Sequence, residues 1–290
     1  MTAKCARIVL LMLMIPLVAA ARAEDARFGA VLTAFDALAR PGAVADVRAK
    51  LEHDGVVGLH PHMRGYPLAF SGPAVAGGAV LTAAEGAATV AARAPAAPGG
   101  VARVEVRFAG SRNHRPAAAT ARVFAWPAAE PALVVDIDGT ISDLRERDVL
   151  FADNAAIPAI AGAVDALTRL ARSHRVIYLT ARDESLYNKS RGWLEARGFP
   201  EGPLFTRDYN VFGPGRGAFK RQFLVDLRRR FPGVVAGVTD TPADAQAYLD
   251  AGLKAIVLGP DGGGRFPPGA VVVPSWQGAR DALDPAGPSP

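Results

Sequence analysis

Two different spacings of apolar residues divide the chain. Between Phe28 and about Glu130 hydrophobic and polar residues alternate: Val104, Val106 and Phe108 share one face of the run from Val101 to Phe108, and Arg103, Glu105 and Arg107 share the other. Val44 to Glu52 alternates similarly before an Asp54-Gly55 turn. A period of two marks strands with one buried face, and short strands between frequent Gly and Pro turns predict a small β-sandwich, immunoglobulin-like in kind. A helix from Arg27 to Ala39, stopped by Arg40-Pro41-Gly42, is predicted ahead of it. The Pro- and Gly-rich stretch from Ala94 to Gly100 reads as a loop, and Trp126-Pro127 to Pro131 as the linker.

Beyond Pro131 the apolar positions become continuous, at Leu133 to Val135, Val176 to Leu179, Val234 to Val238, Ala255 to Leu258 and Val271 to Val273. Such runs predict strands buried on both faces. Helical spacing lies between them, near Ala155 to Ser173, Glu184 to Arg197, Ala218 to Phe231 and Pro242 to Ala251. This alternation predicts an α/β fold, a parallel sheet with helices on both faces, whose ligands bind beyond the carboxyl ends of the strands. The expected organisation is a sandwich over 24–130, an α/β domain over 131–275, and a C-terminal helix and tail over 276–290.

The first 23 residues have the pattern of a cleaved export signal. Lys4 and Arg7 precede an apolar run from Ile8 to Ala20, and Ala21-Arg22-Ala23 offers small residues before Glu24. At about a dozen residues, interrupted by Pro16, the run is too short to span a bilayer. The expected location is therefore periplasmic, with no transmembrane segment in the mature chain. Losing that segment removes Cys5, the single cysteine, so thiol chemistry and disulfides are excluded from the mature protein. Lys4, Arg7 and Arg22 leave as well, and the net charge falls by three, from +5 to +2. No nucleic-acid partner is expected at that balance.

The densest chemistry lies in Asp136-Ile137-Asp138-Gly139-Thr140, where two carboxylates follow an apolar strand and a glycine frees the chain to turn. Alternation along a strand would put both acids on one side. Their repulsion calls for a cation between them or a proton on one. Thr180 closes a strand, Lys220 opens a helix, and Asp240 and Asp244 flank the next strand-to-helix turn. Singly, each has a plainer explanation: strand-end polarity for Thr180, a solvated helix charge for Lys220, and helix capping for Asp240 or Asp244. His60-Pro61-His62 reads as a surface loop with no role, while His53, His114 and His174 stand alone.

Taken in order, these segments resemble the four motifs of the haloacid dehalogenase (HAD) superfamily of phosphotransferases. Tyr178-Leu179-Thr180-Ala181-Arg182, Gly202-Pro203-Leu204, Phe219-Lys220 and Asp244-Ala245-Gln246-Ala247-Tyr248 resemble, more narrowly, the catalytic (LNS2) domain of lipin-type phosphatidate phosphatases, over roughly 131–275. One departure is Thr239-Asp240-Thr241, where lipins commonly have Gly-Asn-Arg.

The resemblance implies a magnesium-dependent phosphatase with a HAD-like Rossmannoid sheet. Asp136 would be the nucleophile and Asp138 the acid and base. Thr180, Lys220, Gly139 and Thr140 would bind phosphate. Magnesium would be held by Asp136, the Asp138 carbonyl and Asp240, with Asp244 in support. Only about forty residues separate Asp138 from Thr180, and Thr180 from Lys220, so no large cap covers the site. An open mouth admits a lipid phosphate at a membrane surface, and equally a phosphoprotein or a nucleotide. Arg182, Lys189, Arg207 and Arg216 are candidates to line it, and Gly213-Pro214-Gly215-Arg216-Gly217 reads as a flexible loop nearby. The opposed reading is a non-catalytic module binding anionic lipid or a partner in the same pocket. The oligomeric state is not encoded in any of these features.

Overall fold

The computed structural model describes residues 28–55, 61–144, 149, 152–207, 216–259 and 266–284. The chain divides into two compact units between Ala125 and Trp126. The expected signal segment and His60 lie outside the described residues.

Among the described residues, the regular elements of the N-terminal unit are all strands. β1 (Ala30–Ala34), β2 (Ala37–Ala39), β3 (Val44–His53), β4 (Pro67–Ser71), β5 (Gly78–Leu81), β6 (Ala87–Arg93), β7 (Val101–Phe108) and β8 (Ala117–Ala125) follow one another. They form a three-stranded sheet, β1-β3-β6, and a five-stranded sheet, β2-β8-β7-β4-β5. Leu32, Val47 and Leu51 from the first meet Leu68, Phe70, Val104, Val106 and Val123 from the second in one apolar core. Alternation along β7 is as its sequence requires, with Val104, Val106 and Phe108 buried and Arg103 and Arg107 exposed.

The helix expected from Arg27 to Ala39 is replaced by β1 and β2. An Ala-rich stretch has helical propensity, but propensity yields to tertiary pairing. β1 pairs antiparallel with β3, β2 pairs parallel with β8, and the chain breaks between them at Asp36. There the Arg122 Nε donates to Asp36 Oδ1 at 3.0 Å and its Nη2 to Oδ2 at 2.7 Å, both side chains buried. A lone charge at that depth would be costly, so the forked pair fixes where the chain must break.

His53 and His114 do not stand alone. The His114 Nε2 and His53 Nδ1 lie 2.9 Å apart, and the Ser111 hydroxyl lies 3.0 Å from His114 Nδ1. Ser111 Oγ already accepts from the His114 backbone N–H, so its proton is free for the ring. His62 is exposed and pairs loosely with Glu52, 3.7 Å away.

In the C-terminal unit the chain runs β9 (Ala132–Val135), α1 (Ala163–Leu170), β10 (Arg175–Asp183), α2 (Tyr187–Ala196), β11 (Leu204–Arg207) and α3 (Arg216–Arg230). It continues through β12 (Val234–Thr239), α4 (Pro242–Asp250), β13 (Lys254–Leu258), β14 (Val271–Val273) and α5 (Trp276–Leu283). The six strands are parallel in the order β11-β10-β9-β12-β13-β14. Strand order reverses between β9 and β12, and a doubly wound sheet opens a crevice at the carboxyl ends there. α1 packs on α5, and α3 on α4. Leu133, Val134, Val135, Ile177, Leu179, Val238 and Ile256 are fully buried, as continuous apolar runs demand.

Two boundaries differ from expectation. The helix expected from Ala155 begins only at Ala163, after Gly162, whose φ of 78° is left-handed. The segment read as a linker is packed into the C-terminal unit: Trp126 is buried beneath Arg175, which also bonds Glu130 at 2.7 Å, and the Gly233 N–H donates to Ala128.

Burial, and then the neighbouring His53, push the His114 imidazole below its ordinary value. The unfolded chain therefore takes up this proton first as pH falls below about 6.5. Stability should be full above that pH and decline toward the lowered folded value. Urea midpoints are expected to fall more steeply between pH 7.5 and 5.5 for the native chain than for His114→Gln; parallel slopes would refute the assignment.

Candidate active site

β9 ends at Val135, and Asp136 follows with its backbone N–H donating to Val238 on β12 at 3.1 Å. The chain then curls: the N–H groups of Thr140, Ile141 and Ser142 all point back to the Ile137 carbonyl. Gly139 makes this possible with φ of 76°, and a Cβ there would run into the Asp240 carboxylate. The curl is anchored from outside by Trp276 of α5, whose buried indole N–H donates to the Thr140 carbonyl at 2.8 Å.

Because the strand stops at Val135, alternation does not govern the two acids, and they take different partners. Asp136 Oδ1 lies 2.8 Å from Lys220 Nζ. That ammonium also donates to Asp244 Oδ2 at 2.6 Å, and it is buried. Lys220 is thus no solvated helix charge. Asp138 turns instead to β10. Arg182 Nε lies 2.9 Å from Asp138 Oδ2 and Nη2 lies 2.8 Å from Oδ1, while Thr180 Oγ1 approaches Oδ2 at 3.4 Å.

The capping alternative for the two later acids also fails. The N-cap of α4 is Thr241, whose hydroxyl accepts from the Asp244 N–H at 3.2 Å, with Pro242 opening the helix. Asp240 accepts instead from Thr140 Oγ1 at 3.2 Å. Gly139 and Thr140, the other two expected phosphate binders, lie within the turn itself. The Gly139 N–H is engaged by Ser142, the Thr140 N–H by Ile137, and the Thr140 hydroxyl by Asp240. They build the turn and hold an acid.

The electrostatics follow from this crowding. Burial raises the Asp136 carboxyl to about 7, against the pull of Lys220 and with help from Asp244. Burial alone would lower Lys220, but the two carboxylates outweigh it and hold the ammonium above its ordinary value. Asp240 is likewise pushed up by burial, opposed by its bond from Thr140. One ammonium therefore pairs with two carboxylates, and a third, Asp240, lies close enough to feel them. Among the described residues no three His, Cys, Asp or Glu side chains converge as a metal cage. The donors available beside the turn are carboxylate oxygens of Asp136 and Asp240, hard ligands of the kind that magnesium takes one or two at a time.

Of the four cations expected at the mouth, Arg182 and Arg207 are buried and Lys189 is half-buried. The Arg216 side chain and the loop before it lie outside the described residues. Sequence reasoning missed two functional supports, the Arg182 fork and the Trp276 anchor. Arg182 carried a signal, since it sits two residues beyond Thr180, where both can reach the same acid.

The family described as "PITM 1-3, LNS2 domain" matches residues 133–257. Those residues match an LNS2 domain. Every acid and cation of this candidate site falls inside the matched span, and the match supports a HAD-type phosphatase. Among curated proteins nothing matches the chain. Of solved structures, a chain of the Pnkp1/Rnl/Hen1 RNA repair complex is 21% identical over 42% of this chain and 39% of its own, with a TM-score of 0.37. A HAD-superfamily hydrolase, subfamily IA, from Geobacter sulfurreducens PCA is 16% identical over 55% of this chain and 97% of its own, also at 0.37. The chain thus spans about two fifths of the length of the RNA repair chain. Both TM-scores lie below 0.5, and the assignment rests on the LNS2 match.

The Gly139 geometry can be tested against a neutral glycine. Gly252 has nearly the same φ, 73°, but a methyl group added there would meet nothing within 4 Å. Gly252→Ala should lose about 1–2 kcal/mol in urea denaturation from backbone strain alone. Gly139→Ala should lose clearly more, because Asp240 must move; equal losses would refute the close approach.

Proposed function

We propose that the C-terminal unit is a magnesium-dependent phosphomonoester hydrolase working through an aspartyl phosphate on Asp136. One observation carries this reading: Lys220 is held between Asp136 and Asp244 while Asp138 is held separately, so two adjacent acids are prepared for different work. In the first step an Asp136 oxygen attacks phosphorus and the bond from phosphorus to the ester oxygen breaks. The proton on Asp138 passes to the departing alkoxide, which leaves as the alcohol. In the second step Asp138, now a carboxylate, takes a proton from water, whose oxygen attacks phosphorus. The bond to Asp136 breaks and inorganic phosphate leaves, with Asp138 protonated again.

Lys220 neutralises transferring oxygens, and Thr180 offers its hydroxyl from within β10, beside the register shift against β11. Asp244, bonded to Lys220, holds that cation in place. Asp136 and Asp240, with the Asp138 carbonyl, would hold magnesium, which when bound offsets the negative charge of carboxylate meeting phosphate. The favoured substrate is phosphatidate or another lipid phosphate. The LNS2 match supports it, and the chain's resemblance to lipin-type domains points the same way. No described helix is long and apolar enough to cross a membrane. Export rests on the pattern of the first 23 residues, and the immunoglobulin-like assignment of the N-terminal unit rests on its two sheets over one core.

The test is magnesium-dependent phosphate release from a generic aryl phosphate. Chelation should abolish turnover and added magnesium restore it. Asp136→Asn should fall to background, and Asp138→Asn should lose about 10²–10⁴-fold in kcat, because the second step has then lost its base. Turnover no greater than that of Asp136→Asn would favour the non-catalytic binding module. In a panel of lipid, sugar and nucleotide phosphates, preference for nucleotides would refute the lipid substrate. A mature N-terminus other than Glu24 in the exported protein would refute the cleavage site.

A further inference from the structure

Arg182 is a fully buried guanidinium against the partly exposed Asp138, and nothing in the chemistry above uses it. Its side chain has no exposure, whereas that of Asp138 is 21% exposed. Four bonds leave it. Nε reaches both Asp138 oxygens, at 3.2 and 2.9 Å, Nη2 reaches Oδ1 at 2.8 Å, and Nη1 donates to the buried Ser190 hydroxyl of α2 at 2.9 Å. Its own backbone N–H donates to Thr180 Oγ1 at 3.1 Å. The pairing of β10 with β11 shifts register between Leu179 and Asp183, so Thr180 to Arg182 sit in an irregular stretch. Such irregularities re-aim side chains.

We propose that Arg182 is the positioning residue for Asp138, and that the chain from Ser190 through Arg182 sets the angle at which Asp138 meets the ester oxygen. The inference rests on the phosphatase reading. An aspartate carboxylate can rotate about two bonds, and proton transfer needs one oxygen aimed at the leaving group. A planar fork spanning both oxygens fixes the plane of the carboxylate, which a lysine's single ammonium cannot do. The guanidinium keeps its own proton, so it transfers none itself. Ser190 fixes the fork from behind, on a rigid helix.

The leaving group separates this role from a merely structural one. Dinitrophenolate departs without a proton, whereas an alkoxide needs one, and kcat/KM reports only the steps through the first irreversible one. In the full-length protein, Arg182→Lys should lower kcat/KM for an alkyl phosphate by about 10²-fold. For 2,4-dinitrophenyl phosphate the loss should be less than about fivefold, a pattern shared with Asp138→Asn. The inhibition constant of inorganic phosphate should stay within about threefold, since phosphate binding is untouched. Ser190→Ala, a gentler change that keeps the charge pair, should shift the alkyl-to-aryl ratio in the same direction by less.

Equal losses on both esters in Arg182→Lys and an unchanged ratio in Ser190→Ala would overturn the proposal. So would weakened phosphate inhibition, which would place Arg182 on the substrate instead. Should Arg182→Lys fail to fold, the ratio in Ser190→Ala decides alone. A native protein inactive on both esters would overturn the phosphatase reading and this inference with it, whereas an active one with equal losses overturns the inference only.

Discussion

The C-terminal unit is organised around one buried ammonium. Lys220 sits on α3, yet it ends between an acid following β9 and an acid on α4, so three separate segments must converge for its charge to be answered. A buried lysine stripped of one carboxylate would be strongly destabilising, since desolvation is then uncompensated. The strand order makes convergence possible: β9 and β12 are neighbours at the point where the winding reverses, and both deliver acids to the same end of the sheet. Close packing supports that end of the sheet. Tyr248 of α4 lies flat over Gly237 of β12, where any Cβ would meet the ring at 2.5 Å. Burial and then the three nearby acids push its phenol far above the ordinary value, so it stays neutral.

The same convergence divides charge unevenly, and the division separates the two acids of Asp136-Ile137-Asp138. Asp136 and Asp244 share Lys220 with Asp240 close by, whereas Asp138 has Arg182 on both of its oxygens. Two acids two residues apart thus live in different electrostatic surroundings, which is how one site obtains different tasks from chemically identical groups. The excess of carboxylate around Lys220 is the feature that a hard divalent cation would relieve.

Much of this could be read from the residues, and the limits have physical causes. Continuous apolar runs located all the strands of the parallel sheet except β11, because burial on both faces leaves no other pattern. The order of Asp136, Thr180, Lys220, Asp240 and Asp244 pointed to the candidate site; Asp136 and Asp240 directly follow strands, whereas Thr180 lies within β10 and Lys220 one turn into α3. What escaped were relations that local sequence does not encode. Alanines between Phe28 and Ala39 have helical propensity, and only pairing with β3 and β8 makes them strands. His53 and His114 are 61 positions apart and meet only through the fold. The bonds that Gly139 and Thr140 make depend on where a tight curl sends its N–H groups, which spacing cannot reveal.

The two forked arginine–aspartate pairs show how exposure distinguishes structure from function where bonding does not. Asp36 and Arg122 share two short bonds, as do Asp138 and Arg182. In the first pair the carboxylate has no exposure and the guanidinium 6%. Both charges are enclosed, and the pair can only hold the chain at the break between β1 and β2. In the second the arginine is the enclosed member and the aspartate is 21% exposed. A fork that clamps a carboxylate from behind while leaving part of it open to solvent fixes an orientation without closing access. Reversing that polarity, with the acid inside and the arginine outside, would give an equally bonded pair unable to exchange a proton with any ligand.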